Sequence, residues 1–294
     1  RSTAAFSPEM TLVPALLSLA TTQTPTSAPA AAAAAPLVMA GQSDAQTLAA
    51  RNGKVAVVTG SSRGIGRAIA LGFAAAGGDV SICAREPGSL EATRAEIAKH
   101  GHKTHAASAD LSQGDAVRGY VRAAVDALGG CDLLINNASA FGSSDDNKGW
   151  TDNLAVDMLA IVHATQEALP ALKKSQGSVV NISSISALHP AARQPPYGAI
   201  KAAVIHYTIT QAAMYAKDRV RVNCIAPGSI EFPGGVWDRR KTANDPLYKN
   251  TLASIPFGRM GTAEEVANVA LFLGSPLASW VTGQAIAVAG AQGL

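Results

Sequence analysis

The stretch from Lys54 to Phe73 constrains this chain more than any other. Lys54-Val-Ala-Val-Val-Thr59 is a short β-branched apolar run, the pattern of a strand buried on both faces. Gly60-Ser61-Ser62-Arg63-Gly64-Ile65-Gly66 follows at once, and Ile65, Ile69 and Phe73 then recur every four residues, the spacing of a helix with one apolar face. Strand, glycine-rich turn and helix in that order bring free backbone N–H donors to a helix start, where a diphosphate can be held. Three residues separate the first two glycines, which departs from the usual dinucleotide fingerprint. Taken alone, the turn leaves open a loop that only reverses the chain.

The same alternation runs to the C-terminus. Apolar β-rich runs at 55–59, 80–84, 133–136, 178–182, 220–225 and 285–288 are separated by helical patterns, which predicts an α/β fold: a doubly wound, Rossmann-type parallel sheet with helices on both faces. The chain has 294 residues, 48% of them hydrophobic, enough for a sizeable core. No composition break interrupts 51–294, so a single domain is expected there. A net charge of +3, with no basic stripe, gives no footprint for nucleic acid. Cys83, Cys131 and Cys224 are odd in number and far apart, which fits buried free thiols in a reducing, cytoplasmic compartment. No Cys/His pair has zinc spacing, so no metal is expected.

Residues 1–50 are a different material. Positions 21–36 are almost all Thr, Ala, Pro, Ser and Gln, a composition that cannot bury much apolar surface and predicts a disordered extension. The apolar stretch 12–20 is too short for a membrane span and is interrupted by Pro14. Only Arg1 precedes Arg51, which argues against secretory and organelle targeting signals. Arg1 rather than Met opens the chain, and Met39 reads as a native start.

Five motifs carry a resemblance. Thr59-Gly60-x-x-x-Gly64-Ile65-Gly66, Asn136-Asn137-Ala138, Ser184, Tyr197-x-x-x-Lys201 and Pro227-Gly228 stand in the order and approximate spacing of the short-chain dehydrogenase/reductase family. Over 53–294 the chain resembles that family's single domain, with members of the 3-oxoacyl-ACP reductase kind as the nearest pattern. The resemblance implies a nicotinamide cofactor held by Gly60, Ser62, Arg63, Gly64, Ile65, Gly66, Asp110, Leu111, Asn137, Ala138, Tyr197, Lys201, Pro227, Gly228 and Ile230. In such a fold an acidic residue at the end of the second strand binds the free ribose hydroxyls and repels a 2′-phosphate. Ala84 holds that position here, followed by Arg85, and Arg63 adds a second guanidinium. Two guanidiniums suit a phosphate dianion, so NADP(H) is expected over NAD(H); the neighbouring Glu86 weighs against it.

A carbonyl accepts hydride readily only if its oxygen receives a proton as negative charge develops. Tyr197 is the expected donor, and Lys201, one helical turn on, is the cation that favours its phenolate. By resemblance Ser184, thirteen positions before Tyr197, holds the substrate oxygen, with Ser183 and Ser186 as close alternatives. The family's relay asparagine is missing: Asp157 occupies its register, and Asn153 stands one turn earlier. Asp157 serves and raises the pKa of Lys201, or Asn153 serves through a shifted helix, or the relay is dispensable.

Two further departures are Phe232, where the family usually has a threonine touching the nicotinamide amide, and Ala289-Gly290-Ala291 in place of an Asp-Gly-Gly turn. The connection 229–260 is long and carries Phe232, Trp237, Tyr248 and Phe257, the make-up of a lid over a small-molecule carbonyl or alcohol substrate. Asp238, Arg239, Arg240 and Lys241 would meet an anionic substrate or form a solvated charged face. Phe141, Trp150 and His189 are candidates for the other walls. Ala-rich helical stretches at 155–172 and 197–217 resemble the family's oligomer contacts, implying a homotetramer or homodimer. A non-catalytic NADP-binding sensor is the competing class; intact Ser184, Tyr197 and Lys201 argue against it. No partnership with nucleic acid or membrane is expected.

Overall fold

Along the central strands, apolar side chains go alternately to two faces. Ala56, Val58, Leu133, Ile135, Val180 and Ile182 enter one core, and Val57, Leu134 and Val179 enter the other. A sheet that is apolar on both sides must be covered on both sides. The computed structural model describes residues 51–293. The expectations attached to 1–50, including those at 12–20 and Met39, fall outside the described residues.

The first half comprises β1 (Val55–Val58), α1 (Gly64–Ala75), β2 (Asp79–Ala84), α2 (Pro87–Ala98), β3 (Thr104–Ser108), α3 (Gly114–Leu128) and β4 (Leu133–Asn136). Next come α4 (Asn147–Asn153), a π-helical turn (Leu154–Leu159), α5 (Ala160–Ser175), β5 (Ser178–Ile182) and α6 (Pro195–Tyr215). The chain closes with β6 (Arg221–Pro227), β7 (Ile230–Glu231), α7 (Val236–Thr242), α8 (Pro246–Ala253), β8 (Gly261–Thr262), α9 (Ala263–Leu273) and β9 (Ala285–Val288).

Seven strands form one sheet in the order β3-β2-β1-β4-β5-β6-β9, every pair parallel. Ile69 and Phe73 of α1 and Val266, Ala270 and Leu273 of α9 cover one face. Val117 and Val121 of α3, Ala164 and Leu172 of α5, and Ala212 of α6 cover the other. The strand order reverses between β1 and β4, which opens a crevice beyond their carboxyl ends.

The segment 229–260 is not an open loop: β7 pairs with β8, and α7 and α8 lie between them. The charged run at its centre is tied locally. Asp238 accepts from Gly234 N at 2.8 Å, Arg239 donates to Gly234 O at 2.6 Å, and Lys241 donates to Glu231 at 2.6 Å; Arg240 pairs with Asp245. Cys83, Cys131 and Cys224 are buried and free.

Candidate active site

The glycine turn joins β1 to α1 through contacts that exclude side chains. Gly60 has φ +64°, and a Cβ there would lie 2.8 Å from Ala138 Cα; one on Gly66 would lie 2.4 Å from Asn137 Nδ2 and 2.5 Å from Gly60 O. Asn137 braces the turn, its side-chain amide donating to Thr59 O at 3.0 Å and Gly60 O at 2.8 Å. Thr59 Oγ1 in turn donates to Ile135 O at 3.2 Å and accepts from Asn137 N at 3.0 Å. Ser61 Oγ donates to Val58 O at 3.0 Å and accepts from Cys83 N at 3.2 Å, fastening the turn to the end of β2. These braces were not readable in advance, since Thr59, Ser61 and Asn137 differ from ordinary strand-end residues only once β1, β2 and β4 are neighbours.

The residues singled out for the cofactor gather on one rim. Gly60, Ser62, Arg63, Gly64, Ile65 and Gly66 follow β1; Arg85 follows β2; Asp110 and Leu111 follow β3; Asn137 and Ala138 follow β4; Pro227, Gly228 and Ile230 end β6 and open β7. Arg63 and Arg85 are exposed, and among the described residues neither joins an ion pair. The Asp110 carboxyl is held below its usual range, first by the N–H of Ser112 and to a lesser degree by the charge of Arg85. Two exposed guanidiniums beside a turn too tight for side chains fit a phosphorylated dinucleotide. Phe232 presses its ring onto the turn, where a Cβ on Gly64 would lie 2.6 Å from the ring's Cζ.

The second half of the site lies at the carboxyl end of β5. Pro195 and Pro196 open α6, at helix positions where a missing N–H costs nothing. Tyr197 follows directly, and Lys201, one turn on, shares its buried face. Of the three adjacent serines, Ser183 Oγ donates to Lys201 O at 2.8 Å, and Ser186 Oγ accepts from Gln194 Nε2 at 2.9 Å. Ser184 Oγ accepts from Ser186 N at 3.1 Å and acts on the Tyr197 hydroxyl in the direction that favours its ionisation. Phe141, at φ +52° and 67% exposed, stacks on Tyr197 with ring centroids 5.4 Å apart.

Lys201 Nζ lies 5.6 Å from the centre of the Tyr197 ring, donates to Ile182 O at 2.8 Å and pairs with Asp157 Oδ1 at 2.9 Å. The π-helical turn Leu154–Leu159 contains Asp157; such bulges are frequent at functional sites. Asn153 is engaged elsewhere, donating to Gly142 O and Gly149 O at 2.8 Å each. Burial raises the Tyr197 hydroxyl above the ordinary phenol; Lys201 and Ser184 oppose the shift and Asp157 adds to it. Burial, the largest single influence, would lower Lys201, but Asp157, by its charge and its close contact, and Tyr197 together outweigh it, and the ammonium is held above its ordinary value.

Known proteins resemble this chain over the span that holds both halves of the site. Residues 60–291 match the family model described as enoyl-(acyl carrier protein) reductase. The chain belongs to the short-chain dehydrogenase/reductase family. It is similar to a 3-oxoacyl-[acyl-carrier-protein] reductase of Chlamydia pneumoniae, 35% identical over 246 residues that cover 81% of this chain and 96% of the relative. Among solved structures, a 3-oxoacyl (acyl-carrier-protein) reductase of Agrobacterium tumefaciens with NADP bound is 34% identical with a TM-score of 0.78, covering 86% of this chain and 99% of the other. The L-sorbose reductase of Gluconobacter frateurii, complexed with NADPH and L-sorbose, is 29% identical with a TM-score of 0.78 over 83% and 98% of the two chains. The chain is an oxidoreductase of this family. Among the described residues no group of His, Cys, Asp or Glu could hold a metal ion, and no helix is long and apolar enough to cross a membrane.

Proposed function

We propose that the chain is an NADP(H)-dependent reductase working at a carbonyl or the corresponding secondary alcohol, with Tyr197 as its proton donor. The observation that carries this is the buried convergence of Ser184, Tyr197 and Lys201 beside the glycine turn. When bound, NADPH supplies the hydride. The chain's own residues do the rest. Tyr197 gives its hydroxyl proton to the carbonyl oxygen as negative charge develops there, and Ser184 offers that oxygen a second hydrogen bond. The ammonium of Lys201 steadies the phenolate left behind. In the balance the carbonyl carbon gains a hydride, its oxygen gains the Tyr197 proton, and solvent restores the phenol.

Arg63 and Arg85 support NADP(H) over NAD(H): both are exposed at the crevice rim, and Ala84 stands where a carboxylate would repel a 2′-phosphate. A ketone, an aldehyde or a 3-oxoacyl thioester is the substrate class; the Chlamydia and Agrobacterium relatives favour the thioester. Phe141, stacked on Tyr197, supplies an apolar wall. The exposed Leu154 and Leu159, and Ile209 and Met214 on α6, are suited to subunit contacts in a homotetramer or homodimer, and three buried free thiols suit a cytoplasmic setting.

The test is NADPH oxidation by wild type and Tyr197→Phe across a panel of ketones, aldehydes and 3-oxoacyl thioesters, with NADPH binding followed in both. Turnover in wild type that vanishes in the variant while binding persists is the expected outcome. Tight binding with no wild-type turnover would instead favour the sensor.

A further inference from the structure

The buried charge of Lys201 has a partner as deeply buried as itself. The side chains of Lys201 and Asp157 are 2% and 0% exposed and their charged atoms are 2.9 Å apart. Each is held from its far side: Asp157 Oδ2 accepts from Ala140 N at 2.9 Å, and Lys201 Nζ donates to Ile182 O at 2.8 Å. The resemblance puts a neutral asparagine at this register, which would leave the ammonium free to act on Tyr197. Here the ammonium is shared with a carboxylate.

We propose that Asp157 is a positioning residue that keeps Tyr197 in its proton-bearing form, moving to the alkaline side the pH at which the site changes from proton donor to proton acceptor. This rests on Tyr197 being the proton donor. With Asp157 and Lys201 both charged, the cluster is neutral while Tyr197 is a phenol, and ionising it creates a net negative charge with little water to screen it. With asparagine at 157, the same ionisation would cancel a buried positive charge instead.

The groups facing Tyr197 and Lys201 are few. Lys201 comes from α6, Asp157 from the π-helical turn, the Ser184 hydroxyl from the end of β5 and the Cys224 thiol from β6; the loop after β4 contributes the Ala140 N–H and the Phe141 ring, neither charged. Burial pushes Cys224 up to about 11, so its thiolate forms only in alkali, and its contribution cancels when wild type and Asp157→Asn, which both retain it, are compared. Asp157 is therefore the anion that decides how far the charge of Lys201 reaches Tyr197. A catalyst leaves the overall equilibrium untouched, so Asp157 does not choose a direction. It sets the pH at which reduction, which needs the phenol, fades and alcohol oxidation, which needs the phenolate, sets in.

The test has two readouts. Ultraviolet titration of tyrosinate in wild type, Tyr197→Phe and Asp157→Asn isolates the ionisation of Tyr197 from that of the other four tyrosines without any turnover. The Tyr197 component should come at lower pH in Asp157→Asn than in wild type. With any substrate that is turned over, the alkaline limb of reduction and the onset of oxidation should move together toward acid, reducing reduction about tenfold at the alkaline end of the wild-type plateau. Identical titrations in wild type and Asp157→Asn would overturn the proposal even if the protein proved an active reductase. A protein without turnover would fail the reductase reading and leave the titration to decide this one. Should Asp157→Asn not fold, wild type and Tyr197→Phe still suffice: a Tyr197 that ionises at or below the pH of free tyrosine contradicts the proposal, and one that ionises above it supports it.

Discussion

Around the glycine turn, every contact that fixes the geometry is made by backbone or by a neutral side chain: Thr59, Ser61 and Asn137 tie together the ends of β1, β2 and β4. Around Tyr197 the fixing contact is an ion pair sealed from water. The first half leaves room and backbone donors for an anionic ligand, and added volume breaks it. The second half holds a proton at a chosen affinity, and a change of charge breaks it. Binding and chemistry in this site are thus separable by the kind of substitution that damages each.

Lys201→Met should have the largest effect. It leaves the Asp157 carboxylate buried without its cation, a change that typically costs about 3–5 kcal/mol, to be read by urea unfolding. The pH dependence follows from the raised Lys201 value: the stabilisation from this lysine is fully present below the pKa of an unfolded lysine and is lost as pH rises through the higher folded value. Wild type should therefore lose stability in alkali, and Lys201→Met should lack that component. A smaller effect is expected on the binding side. Arg85→Ala and Arg63→Ala should each weaken NADPH about tenfold, the size of one lost charge-assisted contact, and leave NADH unchanged; calorimetry with both nucleotides checks this. Equal losses for the two nucleotides would mean that the arginines do not read the 2′-phosphate. The smallest effect is outside both halves. Ala291 sits at φ +64°, a conformation that costs a residue with a Cβ, so Ala291→Gly should gain about 0.5 kcal/mol after allowing for the freer unfolded chain, measurable as a slightly higher Tm.

What could be read in advance divides along the same line. The central strands announce themselves because they are buried on both faces and are therefore continuous apolar runs. Thr104–Ser108 does not: it is an edge strand, mostly half-buried, and Thr-His-Ala-Ala-Ser carries no apolar run. The glycine turn and Tyr197-x-x-x-Lys201 are local patterns and stand out in sequence. Asp157 was locatable by register, and its action on Lys201 was one of three readings left open there; the choice among them rests on a pairing between distant parts of the chain, and the π-helical turn that carries Asp157 leaves no spacing signal. For the charged run 238–241 a ligand contact and a solvated face were both open from sequence; α7, β7 and the turn at Gly234 are what tie each of its side chains locally. Phe232 was legible as a missing threonine and as one of the lid aromatics; that its ring lies on Gly64 follows from the return of the chain after β6.

The most direct test pairs one substitution from each half, Gly66→Ala and Tyr197→Phe, with NADPH affinity and carbonyl reduction measured on the same samples. A Cβ on Gly66 would meet Asn137 Nδ2 at 2.4 Å, so that variant should lose NADPH affinity, and its turnover with it. Tyr197→Phe should bind NADPH like wild type and lose reduction by about a hundredfold or more. Reduction that survives in Tyr197→Phe, or wild-type NADPH affinity in Gly66→Ala, would contradict the account.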